Sequence, residues 1–205
     1  MSVAFDISLR PAAALHGSLD LQAIIAAIPA SYTVKGMFMT RFADLLGSDY
    51  RKLEPLLRQA PRDGRFVPFK DYPQADYTRI VAAAASKRWP ELPLSEAVRR
   101  AARDDLATFA GSLFGKIVLG WIGDAHATLL HVPEAYSRVA PGPTVSAEDL
   151  DARTTRILFQ RHRGIVEYML GQLEGIVLSF GQAPLVTVRK LAADTLAFDV
   201  VHVDR

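Results

Sequence analysis

The segment Arg163–Phe180, with the sequence RGIVEYMLGQLEGIVLSF, constrains the fold of this chain more than any other stretch. Its apolar residues recur at spacings of three and four, which is typical of an α-helix with one broad apolar face. That face consists of Ile165, Val166, Met169, Leu170, Leu173, Ile176 and Val177. An apolar face of this width must be buried, so the sequence predicts a central helix over residues 163–180 that the rest of the protein covers.

Strand patterns flank the predicted central helix. Apolar and polar residues alternate over residues 154–161 before the helix, and over 185–191 and 196–203 after it. The last two segments are joined by only four residues, AADT, so we expect them to form a C-terminal β-hairpin. Residues 3–9 alternate in the same way and predict a further strand at an edge of the sheet.

Helical patterns dominate the chain before this region. Apolar stripes predict helices over residues 20–28, 34–46, 50–62 and 74–86, followed by a longer helix that ends in the apolar run 106–122. Small polar and acidic side chains are favoured at helix starts, and the expected N-caps are Ser18, Asp71 or Asp76, and Ser95.

These patterns together predict an α+β fold. We expect a single domain over residues 1–205, because the chain is of ordinary domain length and contains no long linker. In this arrangement the helical part, about 12–136, packs on a mainly antiparallel sheet that is formed by about 137–205.

Composition excludes several classes of function. Lys and Arg together number 24 and Asp and Glu 22, so the net charge of +2 does not predict a nucleic-acid-binding surface. The chain has no cysteine, which excludes disulfides, thiolate metal sites and a cysteine nucleophile. The apolar run 106–122 is short for a membrane span, and the N-terminus lacks a secretory-signal pattern. We therefore predict a cytoplasmic protein without a membrane span.

Motifs that would indicate catalysis are also missing from the sequence. There is no Gly-rich phosphate loop, no GxSxG nucleophile elbow and no protein-kinase signature. His126 and His131 lie five residues apart, about 140° around a helix, so they do not form a two-histidine metal face. The sequence therefore favours a protein that is not an enzyme.

Four short motifs carry a family resemblance. They are VKGMF at 34–38, DYPQADY at 71–77, VPEAY at 132–136 and LGQLEG at 170–175. With them the chain resembles an uncharacterised paralogous family of similar length that is abundant in myxobacteria. This resemblance covers nearly the whole chain and implies relatives, but no activity.

The last third is also similar to the heme nitric oxide/oxygen-binding (H-NOX) domains and to 4-vinyl-reductase-like sensor domains. In those families the equivalent helix carries a glycine and an apolar-Glu-Gly step before the terminal hairpin. The matching residues here are Gly171 and the step Leu173, Glu174, Gly175. The resemblance implies an H-NOX-like fold and a sensory role.

The H-NOX resemblance also implies specific heme contacts. In that family a Tyr-x-Ser-x-Arg motif binds the heme propionates and a histidine on an earlier helix ligates the iron. Counting back from LGQLEG places the three motif positions on Phe159, Arg161 and Arg163, so the Tyr and the Ser are absent. His126 lies nearest to the position of the axial ligand, and His131 is the alternative. We therefore expect the heme site to be lost or altered, and we assign no cofactor.

The leading hypothesis is a non-catalytic sensory or regulatory module that binds a small apolar or amphipathic ligand between the sheet and the helices. Two arginines suit an anionic group of the ligand, three aromatic side chains suit an apolar lining, and one carboxylate lies in the central helix. These candidate residues are Arg161, Arg163, Phe38, Phe42, Tyr136 and Glu174. The alternative for Glu174 is a structural ion pair, because a buried carboxylate needs a partner such as Arg79, Arg99 or Lys35.

A second hypothesis assigns the protein to a different class. A protein-interaction or scaffold module with a filled core would dock a signalling partner or form a homodimer through an exposed apolar helix face or a free sheet edge.

Overall fold

The computed structural model describes residues 3–6, 19–111 and 123–204, with side chains over 19–105 and 123–204. The helices are α1 (Leu21–Ala27), α2 (Gly36–Leu46), α3 (Tyr50–Leu53), α4 (Gln74–Arg88), α5 (Leu94–Gly111), α6 (Ala125–Leu130), α7 (Val132–Val139) and α8 (Val166–Ser179). The strands are β1 (Val3–Asp6), β2 (Thr33–Lys35), β3 (Asp71–Pro73), β4 (Thr144–Asp151), β5 (Thr154–Gln160), β6 (Ala183–Ala192) and β7 (Thr195–Val203). Short 3₁₀ turns flank α3 on both sides.

Five strands form one antiparallel sheet in the order β1-β6-β7-β5-β4. The predicted C-terminal hairpin is β6 and β7, and Phe198 of β7 lies opposite Val188 on one neighbour and Ile157 on the other. All three side chains are buried in the hydrophobic core. β1 pairs with β6 at the edge of the sheet, and the rest of the predicted strand 3–9 lies outside the described residues. The α+β fold with helices on an antiparallel sheet is thus confirmed.

The central helix α8 is buried on almost all sides, as its apolar face predicts. It begins at Val166 and not at Arg163, because Arg161 has a positive φ of 59° and the chain turns before it enters the helix. It ends at Ser179, and Gly181 follows with a φ of 76°, the left-handed conformation that commonly terminates a helix. The predicted helix 163–180 is therefore correct in type and shorter at both ends.

Close packing joins α8 to α5. A Cβ atom added to Gly171 would lie 2.1 Å from the backbone oxygen of Arg99 and 2.9 Å from Cβ of Ala102. Only glycine allows two helix backbones to approach to this distance. One turn further along α8, the buried carboxylate of Glu174 binds the guanidinium of Arg99, with 3.0 Å between Nε and Oε2. Glycine and ion pair together fix the position of α8 against α5.

Several predicted boundaries in the helical part are wrong for identifiable reasons. The predicted helix 34–46 starts at Gly36, because Val34 pairs with Tyr72 in the small two-stranded sheet of β2 and β3. The predicted helix 50–62 ends at Leu56, because the carboxylate of Asp76 accepts hydrogen bonds from the backbone N–H groups of residues 58 and 59, at 2.8 and 3.0 Å. Neither acidic candidate caps α4, whose N-cap residue is Pro73.

The other corrections concern α1, β4 and the apolar run. The carboxylate of Asp20 caps α1 by accepting from the N–H of Ala23 at 3.0 Å, while Ser18, the predicted cap, lies outside the described residues. Strand β4 was not predicted from the sequence, because most of its residues are polar and exposed. The predicted long helix corresponds to α5, which enters the apolar run 106–122 and is described as far as Gly111. Residues 112–122 are not described. Among the helices described, none is long and apolar enough to cross a membrane.

We expect Gly171→Ala to lower the free energy of unfolding by about 3 kcal/mol, because the added methyl group overlaps the backbone of α5. Urea denaturation followed by circular dichroism measures this change. Gly164→Ala is the matched control, since its Cβ would make only ordinary contacts, the nearest at 3.4 Å. Equal stability of the two variants would contradict the proposed role of Gly171.

Candidate functional site

A cavity of about 70 Å³ lies where α2, α4, α7 and the first half of α8 meet. The turn before α8 closes one side of the cavity. Its walls are formed by Val34, Phe38, Gln74, Tyr77, Thr78, Val81, Tyr136, Val139, Ala140, Pro143, His162, Gly164, Ile165, Tyr168, Met169 and Gln172. Helical spacing explains two of the walls. Residues 74, 77, 78 and 81 lie on one face of α4, and residues 165, 168, 169 and 172 lie together on one face at the start of α8.

The cavity lining carries no formal charge at neutral pH. Among the described residues that line the cavity there is no Asp, Glu, Lys or Arg, and His162 is their only side chain with a pKa that is normally near neutrality. Burial, reinforced by the positive charge of Arg163, lowers the pKa of His162 to about 4. The imidazole is therefore neutral at pH 7, with one nitrogen that donates and one that accepts.

A chain of hydrogen bonds connects four polar side chains of the lining. The hydroxyl of Tyr136 donates to Oε1 of Gln172 at 2.6 Å, and Nε2 of Gln172 donates to the hydroxyl of Tyr168 at 3.2 Å. The hydroxyl groups of Tyr168 and Tyr77 are hydrogen-bonded to each other. Burial raises the pKa of all three tyrosines, so every hydroxyl stays protonated at neutral pH.

The turn before α8 contributes the other polar end of the cavity. His162 is 8% exposed, and its backbone N–H donates to the carbonyl oxygen of Asp194 at 2.8 Å. Gln74 faces it from the start of α4, and its Oε1 atom is buried without a hydrogen-bond partner. A Cβ atom added to Gly164 would lie 3.4 Å from Nε2 of His162 and 3.6 Å from Nε2 of Gln74. The two side chains therefore converge beside Gly164.

Of the six ligand-binding candidates, the structure brings only Phe38 and Tyr136 to the cavity. Phe42 is fully buried behind the wall, with its ring in edge contact with Tyr77 at 5.9 Å and with Tyr168 at 6.4 Å. Glu174 lies further along α8, beyond the cavity, in its ion pair with Arg99. Arg99 was one of three partners considered for it from the sequence.

The two arginine candidates point away from the cavity and from each other. The guanidinium of Arg161 donates to Oγ1 of Thr144 at 2.7 Å, and that of Arg163 donates to Oδ2 of Asp194 at 3.1 Å. Arg163 lines an open groove beside α1 and β6 that shares His162 and Gly164 with the cavity, and Lys190 is a second cation of that groove. His126 also lies elsewhere, between α6 and the sheet, with Nε2 3.2 Å from Oδ1 of Asp149.

Sequence reasoning missed the polar residues of the cavity. His162, Gln74 and Gln172 are not among the six candidates predicted from the sequence. The helical spacing of residues 74, 77, 78 and 81 is the signal that would have grouped one wall. Nothing in the sequence shows that His162 points inward, because that direction depends on the positive φ of Arg161.

Residues 27–201 match the family described as Protein of unknown function (DUF2378). The chain belongs to this family. No curated protein sequence matches it. The membership accounts for most of the chain and assigns no activity to this DUF2378 protein.

Solved H-NOX structures share the fold of this DUF2378 protein. The H-NOX protein from K. algicida, in its Fe(II) unliganded form, is 14% identical with a TM-score of 0.60, over 83% of this chain and 97% of that one. The H-NOX protein from S. oneidensis in the Fe(II)NO state is 16% identical with a TM-score of 0.62, over 82% and 98%. An oxygen-binding H-NOX domain related to soluble guanylate cyclases is 17% identical, also with a TM-score of 0.62, over 82% and 92%. The likeness thus extends well beyond the C-terminal third, and at these identities it shows the fold alone.

The cavity between α2, α4, α7 and α8 does not fit a heme. The volume of the cavity, about 70 Å³, is smaller than the roughly 300–1,000 Å³ typical of small-molecule pockets. Five large polar side chains form much of its wall: Gln74, Tyr77, Tyr136, Tyr168 and Gln172. Phe159, at the first motif position, packs in the core against Phe198 at 5.6 Å. Apart from heme, the described residues contain no cluster of three or more His, Cys, Asp or Glu side chains that would hold a free metal ion.

We expect acid to destabilise the protein through His162. The unfolded chain binds a proton at the ordinary histidine pKa of 6.5, whereas the folded protein does not until about pH 4, so stability falls as the pH is lowered between these values. The loss amounts to at most about 3 kcal/mol. Urea denaturation of the wild type and of His162→Gln at pH 7 and pH 4.5 should show a smaller loss in the variant.

The same comparison controls for Asp105, whose pKa burial raises to about 6. Its contribution has the opposite sign, since a carboxyl with a raised pKa stabilises the fold as the pH falls from 6 towards 3.8, and it is common to both proteins. An NMR titration of the His162 ring that shows protonation above pH 6 would contradict the prediction.

We expect Arg99→Met to lower the free energy of unfolding by about 3–5 kcal/mol, because it leaves the buried carboxylate of Glu174 without its partner. The double variant with Glu174→Met should recover most of that loss. The exposed pair Arg138–Glu134, 62% and 57% accessible, is the matched control, and Arg138→Met should change stability very little. Additive losses in the double variant would argue against a coupled pair.

Proposed function

We propose that this protein is a non-catalytic sensory or regulatory module, folded as one domain, that binds a small amphipathic molecule in the cavity between α2, α4, α7 and α8. The observation that carries this proposal is the cavity itself, in which aromatic and aliphatic walls surround a few convergent polar groups. Lining of this kind is typical of small-molecule sites. The H-NOX-like fold agrees with a sensory role, by analogy only.

The cavity limits the size of the ligand. An engineered cavity of about 150 Å³ lined by apolar side chains holds benzene, and the present cavity has about half that volume. The cavity is partly open to solvent, and two of its lining side chains, Met169 and Phe38, can change rotamer to admit a slightly larger group. The proposed ligand is therefore no larger than a single substituted ring.

The proposed site carries no charge, whereas the sequence predicted that two arginines bind an anionic group of the ligand. Arg161 and Arg163 are bound to Thr144 and Asp194, so neither guanidinium is available at the cavity in this conformation. An anionic ligand would lose its hydration without gaining a cation.

A titration of the protein with ¹³C-methyl-labelled methionine tests the proposal. Met169 lines the cavity, whereas Met39 is fully buried in the core, so the two methyl groups serve as probe and internal reference. Small aromatic and aliphatic compounds should shift the Met169 signal in a saturable way and raise the melting temperature. If no such compound moves either observable, the proposed function is wrong.

A cavity-filling variant provides the matched control. Ala140→Leu places three more carbon atoms in the cavity wall and should abolish the titration. Ala192→Leu makes the same chemical change at an exposed position at the end of β6 and should leave binding intact. Binding that survives Ala140→Leu would place the ligand elsewhere.

One observation favours the second function class, a protein-interaction module. Val67 and Phe69, in the loop before β3, are 58% and 67% exposed, and exposed apolar side chains are common at docking surfaces. Light scattering of the wild type and of Val67→Ser/Phe69→Ser distinguishes the classes. An oligomer that the double variant dissociates would support interaction through this loop.

A further inference from the structure

We propose that the cavity selects a neutral ligand with a hydroxyl group, whose hydroxyl lies beside Gly164 and is hydrogen-bonded to Gln74 and His162. This inference rests on the proposed function, because it names the chemical class of the ligand of the same cavity.

The first argument is the hydrogen-bonding capacity that remains in the cavity. Seven polar side chains line it among the described residues, and five of them are already hydrogen-bonded within the protein: Tyr77, Thr78, Tyr136, Tyr168 and Gln172. The two others are Gln74 and His162. Oε1 of Gln74 is buried without a partner, and the ring of His162 contacts Phe159 by its edge, with no hydrogen bond to its nitrogens among the described residues.

The second argument is geometric. Nε2 of Gln74 and Nε2 of His162 both lie within 4 Å of the position that a Cβ atom of residue 164 would take, so both nitrogens lie on the side of Gly164 from which a side chain is missing. The space in front of Gly164 on that side is bordered by both side chains. The amide and the neutral imidazole each offer a donor and an acceptor. A hydroxyl group, which both donates and accepts, is therefore complementary to the pair.

The third argument concerns what the cavity rejects. A buried acceptor without a partner costs free energy that a hydroxyl recovers and a methyl group does not. Sites that hydrogen-bond a hydroxyl discriminate strongly against analogues that lack it. A carboxylate is rejected for another reason, because none of the described lining residues is a cation and burial keeps the imidazole of His162 neutral.

Three probes of nearly equal shape test the inference: phenol, toluene and benzoate. Phenol and toluene differ by the exchange of a hydroxyl for a methyl group, and benzoate carries a charge. Titrations at pH 7, followed by the Met169 methyl signal, should give a dissociation constant for phenol about tenfold lower than for toluene. Benzoate should bind at least about tenfold more weakly than phenol.

Two variants assign the preference to the proposed residues. Gln74→Leu removes the amide at similar volume and should abolish the preference for phenol over toluene while toluene still binds. Gly164→Ala fills the point between the two side chains with ordinary contacts and no backbone strain, and should weaken phenol more than toluene. Thr128→Val is the matched control, since Thr128 lies in α6 outside the cavity lining and its hydroxyl donates to the backbone oxygen of Asp124 at 2.8 Å, so the preference should persist.

The outcomes separate the inference from the proposed function. If phenol and toluene bind equally, or if Gln74→Leu keeps the preference for phenol, the hydroxyl site is wrong although the cavity binds small molecules. Stronger binding of benzoate than of phenol would likewise overturn the inference and would support an anionic ligand instead. If none of the three probes binds to the wild type, the proposed function itself fails.

Discussion

The contact between α5 and α8 at Gly171 is the constraint on which the rest of the structure depends. The backbone oxygen of Arg99 occupies the space that a side chain at position 171 would need. The same residue then binds Glu174 through its guanidinium, so one residue of α5 sets both the distance and the register between the helices. Because α8 also packs against β6 and β7, this contact positions the helical part relative to the sheet.

The position of α8 determines where the cavity forms. Gly171 and Glu174 contact α5, whereas Tyr168, Met169 and Gln172 face α2, α4 and α7, whose side chains do not fill the space completely. Polar groups are tolerated there because they satisfy one another, as in the chain from Tyr136 through Gln172 and Tyr168 to Tyr77. Buried polar groups without partners are costly and therefore rare, which makes the unpaired atom of Gln74 informative.

The hydrophobic periodicity of the sequence predicts much of the fold but less of the candidate site. The central helix, the hairpin of β6 and β7 and the helical stripes could be predicted because burial imposes a repeat on the sequence. Strand β4 lacks that repeat because it lies exposed at a sheet edge. Within the site, Phe38 and Tyr136 could be identified as apolar lining, but the convergence of Gln74 with His162 joins residues 88 positions apart and depends on tertiary packing.

The turn at residues 161–164 decides which chemistry the cavity presents. In a continuous strand, residues 159, 161 and 163 would share one face, and both arginines would follow Phe159 into the core. The positive φ of Arg161 ends that alternation, and the hydroxyl of Tyr32 holds the turn by donating to the carbonyl oxygen of Arg161 at 2.9 Å. The residue that enters the protein is therefore His162, which burial keeps neutral, and both guanidinium groups are left outside. A single backbone conformation thus places His162, and neither arginine, among the described lining residues of the cavity.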